Sequence, residues 1–565
     1  MNKVRNTYDH FYRYEEITSI LKGYEAEFPE MVRLTALNQT PEGRNIWAIE
    51  FTDRTTGDYL DKPAYYIEAN IHAGEVTGCM SAMYFLDYMF TNCKTDPEVQ
   101  NLLKKYTFYM VPRVSPDGSE CYLTTPDTIR SVNRLYPYSE LMPGLQPKDM
   151  DGDGVIRKMR VKSPYGAWKI SDKDHRLMVK RAPDDMDGEF YNVFTEGEIL
   201  DFDGYTIQSA PQKWGNDFNR NFPAMWKHES EQRGAGKYPL SNIETKTVAD
   251  FIIGHKNICS IIDFHTMTGA YLYPPGIKPR SEADKADMRR YVEIGKMATQ
   301  ETTYPPVNAH DEYVPADARV DVGAFDDFNH FTLGIPAYTI ECWDLDPRAG
   351  IPFTYPIMKD ETDEEAAEHH LKYIQWIERE NDGEGYLPWT KFDHPQLGEV
   401  EIGGIDYKYV VQNPPIKFLP QEVEKHTRFL LRHVKSLPMI QFHKVDIEHI
   451  DGSVYRIDAY VMNTGYLPTY ITREALKLNV EQPIKVSLSG EGISFVQGKQ
   501  EQDIGQLEGY SAIVSQNVSV GGLSSEYDLP CEKRVSWIIT AKEGSTLTIT
   551  CRSDKVGTYQ KEITL

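Results

Sequence analysis

The chemistry of this chain starts from a histidine and a glutamate three positions apart. The stretch "EANIHAGEVTG", residues 68 to 78, directly follows the apolar run "KPAYYI" and presents His72 and Glu75 among small residues. An imidazole and a carboxylate so placed can ligate zinc, and they can equally be two solvated loop residues. Spacing alone decides little, because composition predicts about two chance cases of His followed three on by Asp or Glu. Three occur: His72–Glu75, His228–Glu231 and His443–Asp446. Only the first follows a strand-like run in the core. A catalytic zinc takes three protein ligands and keeps one position open for water. His265, which closes "SIIDFH" before the small, flexible "TMTGAY", is the candidate third ligand. A zinc-bound histidine usually gives its other ring N–H to a carboxylate, and Asp217 in "WGNDFNRNFP" is the candidate for that. Glu341 ends the apolar run "AYTIE", where a carboxylate needs a task or a partner.

These residues need elements to position them. Residues 63 to 71 read as a strand, 76 to 92 as a helix, and "YTFYMVPRVSPDG" as a buried strand ending in a turn. "ICSIIDFH" and "PAYTIECW" are further short β-branched runs, separated by helical patterns at 241 to 255, 283 to 301 and 363 to 380. Strand and helix in alternation predict an α/β core with a mostly parallel sheet. Ligands of such sheets gather at the carboxyl ends of strands, where His72, His265 and Glu341 all fall. Residues 138 to 213 form a long Asp- and Gly-rich insertion with little periodicity. The expected division is an α/β domain over 1–385, a connector over 386–439 with a helix near 421 to 434, and an accessory domain over 440–565. Short alternating runs in the last, such as "VYRIDAYVMN" and "STLTITCRS", predict an antiparallel β-sandwich.

The bulk numbers set limits. With 565 residues, 40% hydrophobic and 12% aromatic, the chain has enough material for a large core and more than one domain. A formal charge of −24 has the wrong sign for a nucleic-acid or anionic-membrane binder. Seven scattered cysteines without a CxxC pair fit neither a disulfide framework nor a cysteine metal site. No apolar run approaches the length of a membrane span, and the first residues lack a hydrophobic signal core. The expectation is a cytoplasmic protein, or a secreted one if a signal has been removed.

Seven pieces now occur in order: "NIHAGE", "VSPDG", "IRSVNR", "GNDFNRNFP", "SNIETKTVADF", "IIDFHTMTGAYLYPPG" and "GIPAYTIE". Over roughly residues 5 to 380 the chain resembles the zinc metallocarboxypeptidases of the carboxypeptidase A type, peptidase family M14. The resemblance implies an α/β/α sandwich around a twisted mixed sheet and one catalytic zinc on His72, Glu75 and His265. It implies a peptide substrate with a free C-terminal carboxylate and Glu341 as general base for the zinc-activated water. It implies Arg130, twelve residues after Gly118, as the cation for the oxyanion, with Arg134 as a nearby rival. Asn219 and Arg220 match the pair that grips the terminal carboxylate, a task suited to the planar guanidinium fork.

The departures are specific. Gly74 stands where the digestive members carry arginine, and Ser115 replaces the usual Asn of "NPDG". Counting back for the substrate-closing tyrosine lands on Ala318, with Tyr313 the nearest candidate. Phe325 aligns with the floor of the specificity pocket and would favour apolar or aromatic C-terminal residues. Asp326 and Asp327 lie beside it, and an aspartate there would favour Lys or Arg. Asp149, Asp151 and Asp153, with Gly154, have the spacing of a calcium loop, but the twelfth position is Arg160 in place of a bidentate glutamate. The insertion, anchored between Arg130 and Asn219, is expected on the cleft rim. Two other accounts stand beside the carboxypeptidase: a zinc amidase, deacylase or cell-wall peptide hydrolase on the same scaffold, and a catalytically silent peptide- or glycan-binding protein.

Overall fold

A computed structural model describes residues 4–315, 320–514 and 530–565 of the chain. Position 318, where the count for the closing tyrosine lands, lies outside the described residues.

The core is an eight-stranded mixed sheet. In spatial order its strands are Val32–Gln39, Asn45–Phe51, Thr107–Val111, Ala64–Ala69, Ile258–Thr266, Ala337–Cys342, Ala270–Tyr273 and Pro306–Asn308. The middle four run parallel and every residue in them is buried. This explains their continuous apolar character, since both faces of the sheet are covered. Successive side chains divide between the faces. Tyr65 and Ile67 pack under helices Tyr14–Glu27, Val76–Asn92, Lys285–Thr302 and Leu419–His433, whereas Tyr66 packs with helices Ile243–Gly254 and Phe325–Leu333. The result is the expected α/β/α sandwich. Helix Val76–Asn92 is apolar nearly all round because it is enclosed nearly all round, with the sheet on one side and Leu419–His433 on another.

The insertion is more ordered than its sequence suggests. Strands Lys158–Lys162, Trp168–Ile170, Met178–Lys180 and Phe190–Thr195 join Tyr386–His394 and Gly398–Ile405 in one six-stranded antiparallel sheet. Its strands are three to six residues long inside the insertion, too short for alternation to register as a pattern. The backbone of Tyr136 bonds to Lys213 and Gly215, which ties the two ends of the insertion together. A boundary near residue 386 would cut this sheet, and the segment expected to be a connector is built into the first unit. Leu419, Val423, Phe429 and Leu430 share a buried cluster with Tyr65 and Ile67.

From Ile440 onward, two four-stranded antiparallel sheets face each other over Ile457, Val461, Val486, Leu488, Trp537 and Ile549. This is the expected β-sandwich. It docks with the buried Lys555 Nζ donating to Ile258 O at 2.7 Å, at the amino end of the strand that carries His265. The seven cysteines are free. Among the described residues no helix is long and apolar enough to cross a membrane.

Candidate metal centre

The chain leaves strand Ala64–Ala69 through Asn70, which adopts φ 61°. Asparagine tolerates this left-handed conformation, and here its amide also donates to His72 O at 3.1 Å. The turn brings His72 and Glu75 over the carboxyl end of strand Ile258–Thr266, which ends on His265. The Nδ1 atoms of His72 and His265 lie 3.0 Å apart. Glu75 Oε1 is 2.9 Å from His72 Nδ1, and Glu75 Oε2 is 3.0 Å from His265 Nδ1. All three side chains are buried.

The outer ring nitrogens are also engaged. Asp217 Oδ1 lies 3.1 Å from His72 Nε2, and Asp263 Oδ2 lies 2.6 Å from His265 Nε2. With a carboxylate fixing each outer nitrogen, the two Nδ1 lone pairs turn inward toward each other and toward Glu75. Two nitrogens on a tetrahedral zinc would stand about 3.3 Å apart, close to the spacing found. The electrostatics match a cation. Burial opposes a positive charge on His265, but Asp263 and Glu75 outweigh it and lift its pKa well above the ordinary imidazole range. The residues present therefore fit a zinc ion.

Arg130 reaches the centre because its segment is bonded to the ligand loop. Ala73 N donates to Arg130 O at 2.7 Å and Gly74 N to Ile129 O at 3.2 Å. Gly118 permits this approach, since a Cβ there would stand 2.3 Å from Ser131 O and 2.6 Å from Ala73 Cβ. The guanidinium donates from Nε to Asp217 at 3.1 Å and from Nη1 to Glu75 at 3.2 Å. Among the described residues no protein partner holds its Nη2. Burial works against the charge of Asp217, but Arg130, Arg220 and His72 prevail and hold its carboxyl well below the usual range. Arg134, the rival, is committed to the buried Glu244 by two bonds of 2.8 and 3.0 Å.

Glu341 stands directly beside His265 in the parallel register of the two central strands. Its Oε2 is buried and has no partner among the described residues. Burial pushes its carboxyl up to about 8; the Glu75 charge adds to this, while His265 and Arg130 oppose it. Asn219 Oδ1 accepts Phe325 N–H at 2.7 Å. Arg220 donates to Asn219 O at 2.8 Å and to the exposed Asp321 at 2.6 Å. Burial, then the charges of Glu341 and Glu75, raise the Tyr313 hydroxyl well above its ordinary pKa, with Arg130 and Arg220 opposing. The phenol thus lies within electrostatic reach of all four.

Two expectations change. Phe325 does not face the metal ligands: its ring is fully buried, packed edge-on to Phe222 at 5.2 Å in the core on one face of the sheet. One residue on, Asp326 is buried; burial raises its carboxyl pKa, the N–H of Asp327 opposes this, and the Asp263 charge adds to it while His265 lowers it. Asp149, Asp151 and Asp153 do come together. However, both oxygens of Asp149 and one each of Asp151 and Asp153 accept backbone N–H groups of their own loop, and Arg157 sits on the other oxygen of Asp153. This acidic turn is satisfied internally, and nothing in it supports calcium.

Sequence reasoning missed three contributors. Asp263 is two residues before His265 on one strand, so both point to the same side; the signal was the "DFH" triplet. Asn413 brackets the ligand Glu75, accepting Thr77 N–H at 3.1 Å and donating to Gly74 O at 2.8 Å. Glu422 accepts Trp343 N–H at 3.0 Å, two residues beyond Glu341. The last two act across 336 and 79 positions of chain, and no local pattern marks them.

Comparison with known proteins agrees with this geometry. The family model described as zinc carboxypeptidase matches residues 17–369, and a domain of unknown function matches residues 439–564. Carboxypeptidase A4 of Mus musculus is 25% identical over 282 residues, covering 48% of this chain and 48% of that protein. Carboxypeptidase D of Mus musculus is 27% identical over 111 residues, 20% of this chain and 8% of its own length. The chain thus spans about half of the first relative and a small part of the second. The crystal structure of thrombin activatable fibrinolysis inhibitor aligns at 15% identity and TM-score 0.41, covering 76% of this chain and 74% of that one. With the family model matching more than half of its residues, the chain belongs to the zinc carboxypeptidase family.

Proposed function

We propose that the protein is a zinc-dependent carboxypeptidase that hydrolyses the last peptide bond of substrates with a free C-terminal carboxylate. One observation carries the reading: two imidazole nitrogens and a carboxylate converge within 3.0 Å contacts, flanked by Arg130 and by Glu341 in register with His265.

Bound zinc supplies a Lewis acid that polarises the scissile carbonyl and lowers the pKa of water. His72, Glu75 and His265 would hold it, with Asp217 and Asp263 fixing the ring orientations. Glu341 takes the proton of the attacking water at its unpartnered Oε2 and passes it to the leaving amine. The free Nη2 of Arg130 faces the charge that develops on the carbonyl oxygen, a contact stronger in the transition state than in the ground state. Arg220, with Asn219, grips the terminal carboxylate, which displaces Asp321 from the guanidinium. Tyr313 closes over the substrate from the side of Glu341 and Arg220. Asp326, the buried carboxylate one residue past Phe325, favours a basic C-terminal side chain.

The test is a panel of blocked dipeptides differing in their last residue, with metal analysis in parallel. The expected result is one zinc per chain, turnover of free acids, and a preference for C-terminal Lys or Arg that Asp326→Ala removes. Glu341→Gln should keep zinc and lose about 10²–10⁴-fold in kcat. Full activity in that variant removes Glu341 from the reaction. A zinc-loaded wild type that cleaves none of the panel refutes the peptidase.

A further inference from the structure

The turn at Tyr407–Gln412 lies against the metal loop and is fastened there from several sides. Lys408 Nζ donates to Tyr122 O and, at 2.8 Å, to Thr125 O. Tyr122 Oη donates to Lys408 O at 3.2 Å and to Gln412 Oε1 at 3.0 Å. Tyr409 stacks on Phe11 at 5.6 Å, and Asn413 bonds on both sides of Glu75. The turn also accounts for Gly74. A Cβ at that position would stand 2.8 Å from Tyr122 Cε2 and 3.0 Å from Gln412 Oε1. The space that a side chain at position 74 would occupy is therefore filled by residues 407–412 and their partner Tyr122.

Within this fixed turn one residue is left open. Tyr407 is 45% exposed, while its neighbours Lys408 and Val410 are buried. Burial raises its hydroxyl pKa, and the charges that act on it are those of Glu75 and Arg130. Tyr313 feels Glu341 and Arg220 in addition. Tyr407 thus heads, exposed, a turn whose far end is bonded to the ligand loop, since Asn413 donates to Gly74 O and accepts Thr77 N–H. For a peptide whose carboxylate is held by Arg220, an exposed ring fastened to the ligand loop is available to the residues upstream of the scissile bond.

We propose that Tyr407 is a positioning residue for the part of the peptide upstream of the scissile bond. Its ring forms one wall for the upstream residues, and its hydroxyl donates to the peptide backbone. A rigid aromatic with few torsions to freeze suits this task. The strand that delivers it, Gly398–Ile405, is held in the sheet built by the insertion, which gives that insertion a route to the cleft.

The proposal rests on the peptidase reading, and the experiment separates the two. Zinc-loaded Glu341→Gln protein, with and without Tyr407→Ala, is titrated calorimetrically with two ligands sharing the same last residue. One is an N-acetyl amino acid, which has nothing upstream of the amide beyond a methyl group; the other is an N-acetyl tetrapeptide. Tyr407→Ala should weaken the tetrapeptide about tenfold, equivalent to about 1.4 kcal/mol, and the acetyl amino acid less than about twofold. Tyr407→Phe should weaken the tetrapeptide alone by about threefold. Zinc content and melting midpoint should match the parent. Equal losses for both ligands, or none for the tetrapeptide, overturn the assignment of Tyr407 and leave the peptidase intact. Failure of both ligands to bind the zinc-loaded parent overturns the peptidase reading itself.

Discussion

Asp263 and Asp217 each hold the outer nitrogen of one histidine, and the structure separates their duties. Asp263 touches His265 at 2.6 Å and does not contact Arg130, whereas Asp217 serves both His72 at 3.1 Å and Arg130 Nε at 3.1 Å. Asparagine at either position keeps an acceptor of the same shape but turns a charge-assisted bond into a neutral one about half as strong. Loss of such a carboxylate partner costs about 10–100-fold in zinc affinity, or about 1.4–2.7 kcal/mol. Asp263→Asn should sit at the low end, about tenfold, because the hydrogen bond survives in weaker form. Measured at saturating zinc, its kcat should stay within about threefold of wild type. Asp217→Asn should weaken zinc similarly and also lower kcat by about tenfold or more, because the Arg130 guanidinium loses the charge that fixes its Nε. Competition with a chromophoric chelator gives the affinities, and turnover of a blocked dipeptide in excess zinc gives kcat. Unchanged zinc affinity in Asp263→Asn would falsify the orienting role. Equal kcat losses in the two variants would show that Arg130 does not depend on Asp217.

Three further outcomes follow from particular contacts. Asp321→Asn frees Arg220 from its exposed partner, so KM for free-acid peptides should fall about two- to fivefold, the scale of a weak exposed ion pair; Arg220→Ala should raise it for those peptides far more than for amidated ones. If amidated and free-acid peptides respond alike, Arg220 is not the carboxylate grip. Gly74→Ala forces Tyr122 and Gln412 apart and should cost about 1–3 kcal/mol in urea unfolding; an unchanged midpoint would mean the 407–412 turn is not seated as described. A fragment ending at residue 385 lacks Asn413 and Glu422 and should fail to hold zinc at the affinity of the full chain; a fragment of full affinity would refute their bracing role.

What the sequence made legible follows the strength of local signals. The parallel strands were visible because burial on both faces leaves continuous apolar runs, and the ligand positions because polar residues end those runs. The sandwich was visible because one face of each strand is wet, as the alternating burial of Val454–Asn463 shows. The placement of Phe325 and Asp326 could not be read, because the two open a helix on which one residue of slip rotates a side chain by about 100°. The ring of Phe325 goes to the core beside Phe222. The insertion was unreadable because its short strands take their meaning from Tyr386–His394 and Gly398–Ile405, some two hundred positions later.

That long-range pairing changes what the site is made of. The zinc carboxypeptidase match ends at residue 369, yet contacts that brace the backbone beside Glu75 and beyond Glu341 come from past it. Asn413 pins the backbone on either side of Glu75. Glu422 accepts the N–H of Trp343, which adopts φ 71° just past the Glu341 strand, and also accepts from Tyr304. Glu422 can hold its own charge in a buried place because Lys425 at 2.7 Å and His426 at 3.2 Å lie beside it. A carboxylate that must stay within hydrogen-bond reach of a water and a carbonyl tolerates little drift in its backbone. Residues 386–439 therefore hold the backbone on either side of Glu75 and just beyond Glu341, so the proposed centre draws its framework from that segment as well as from the strands that carry it.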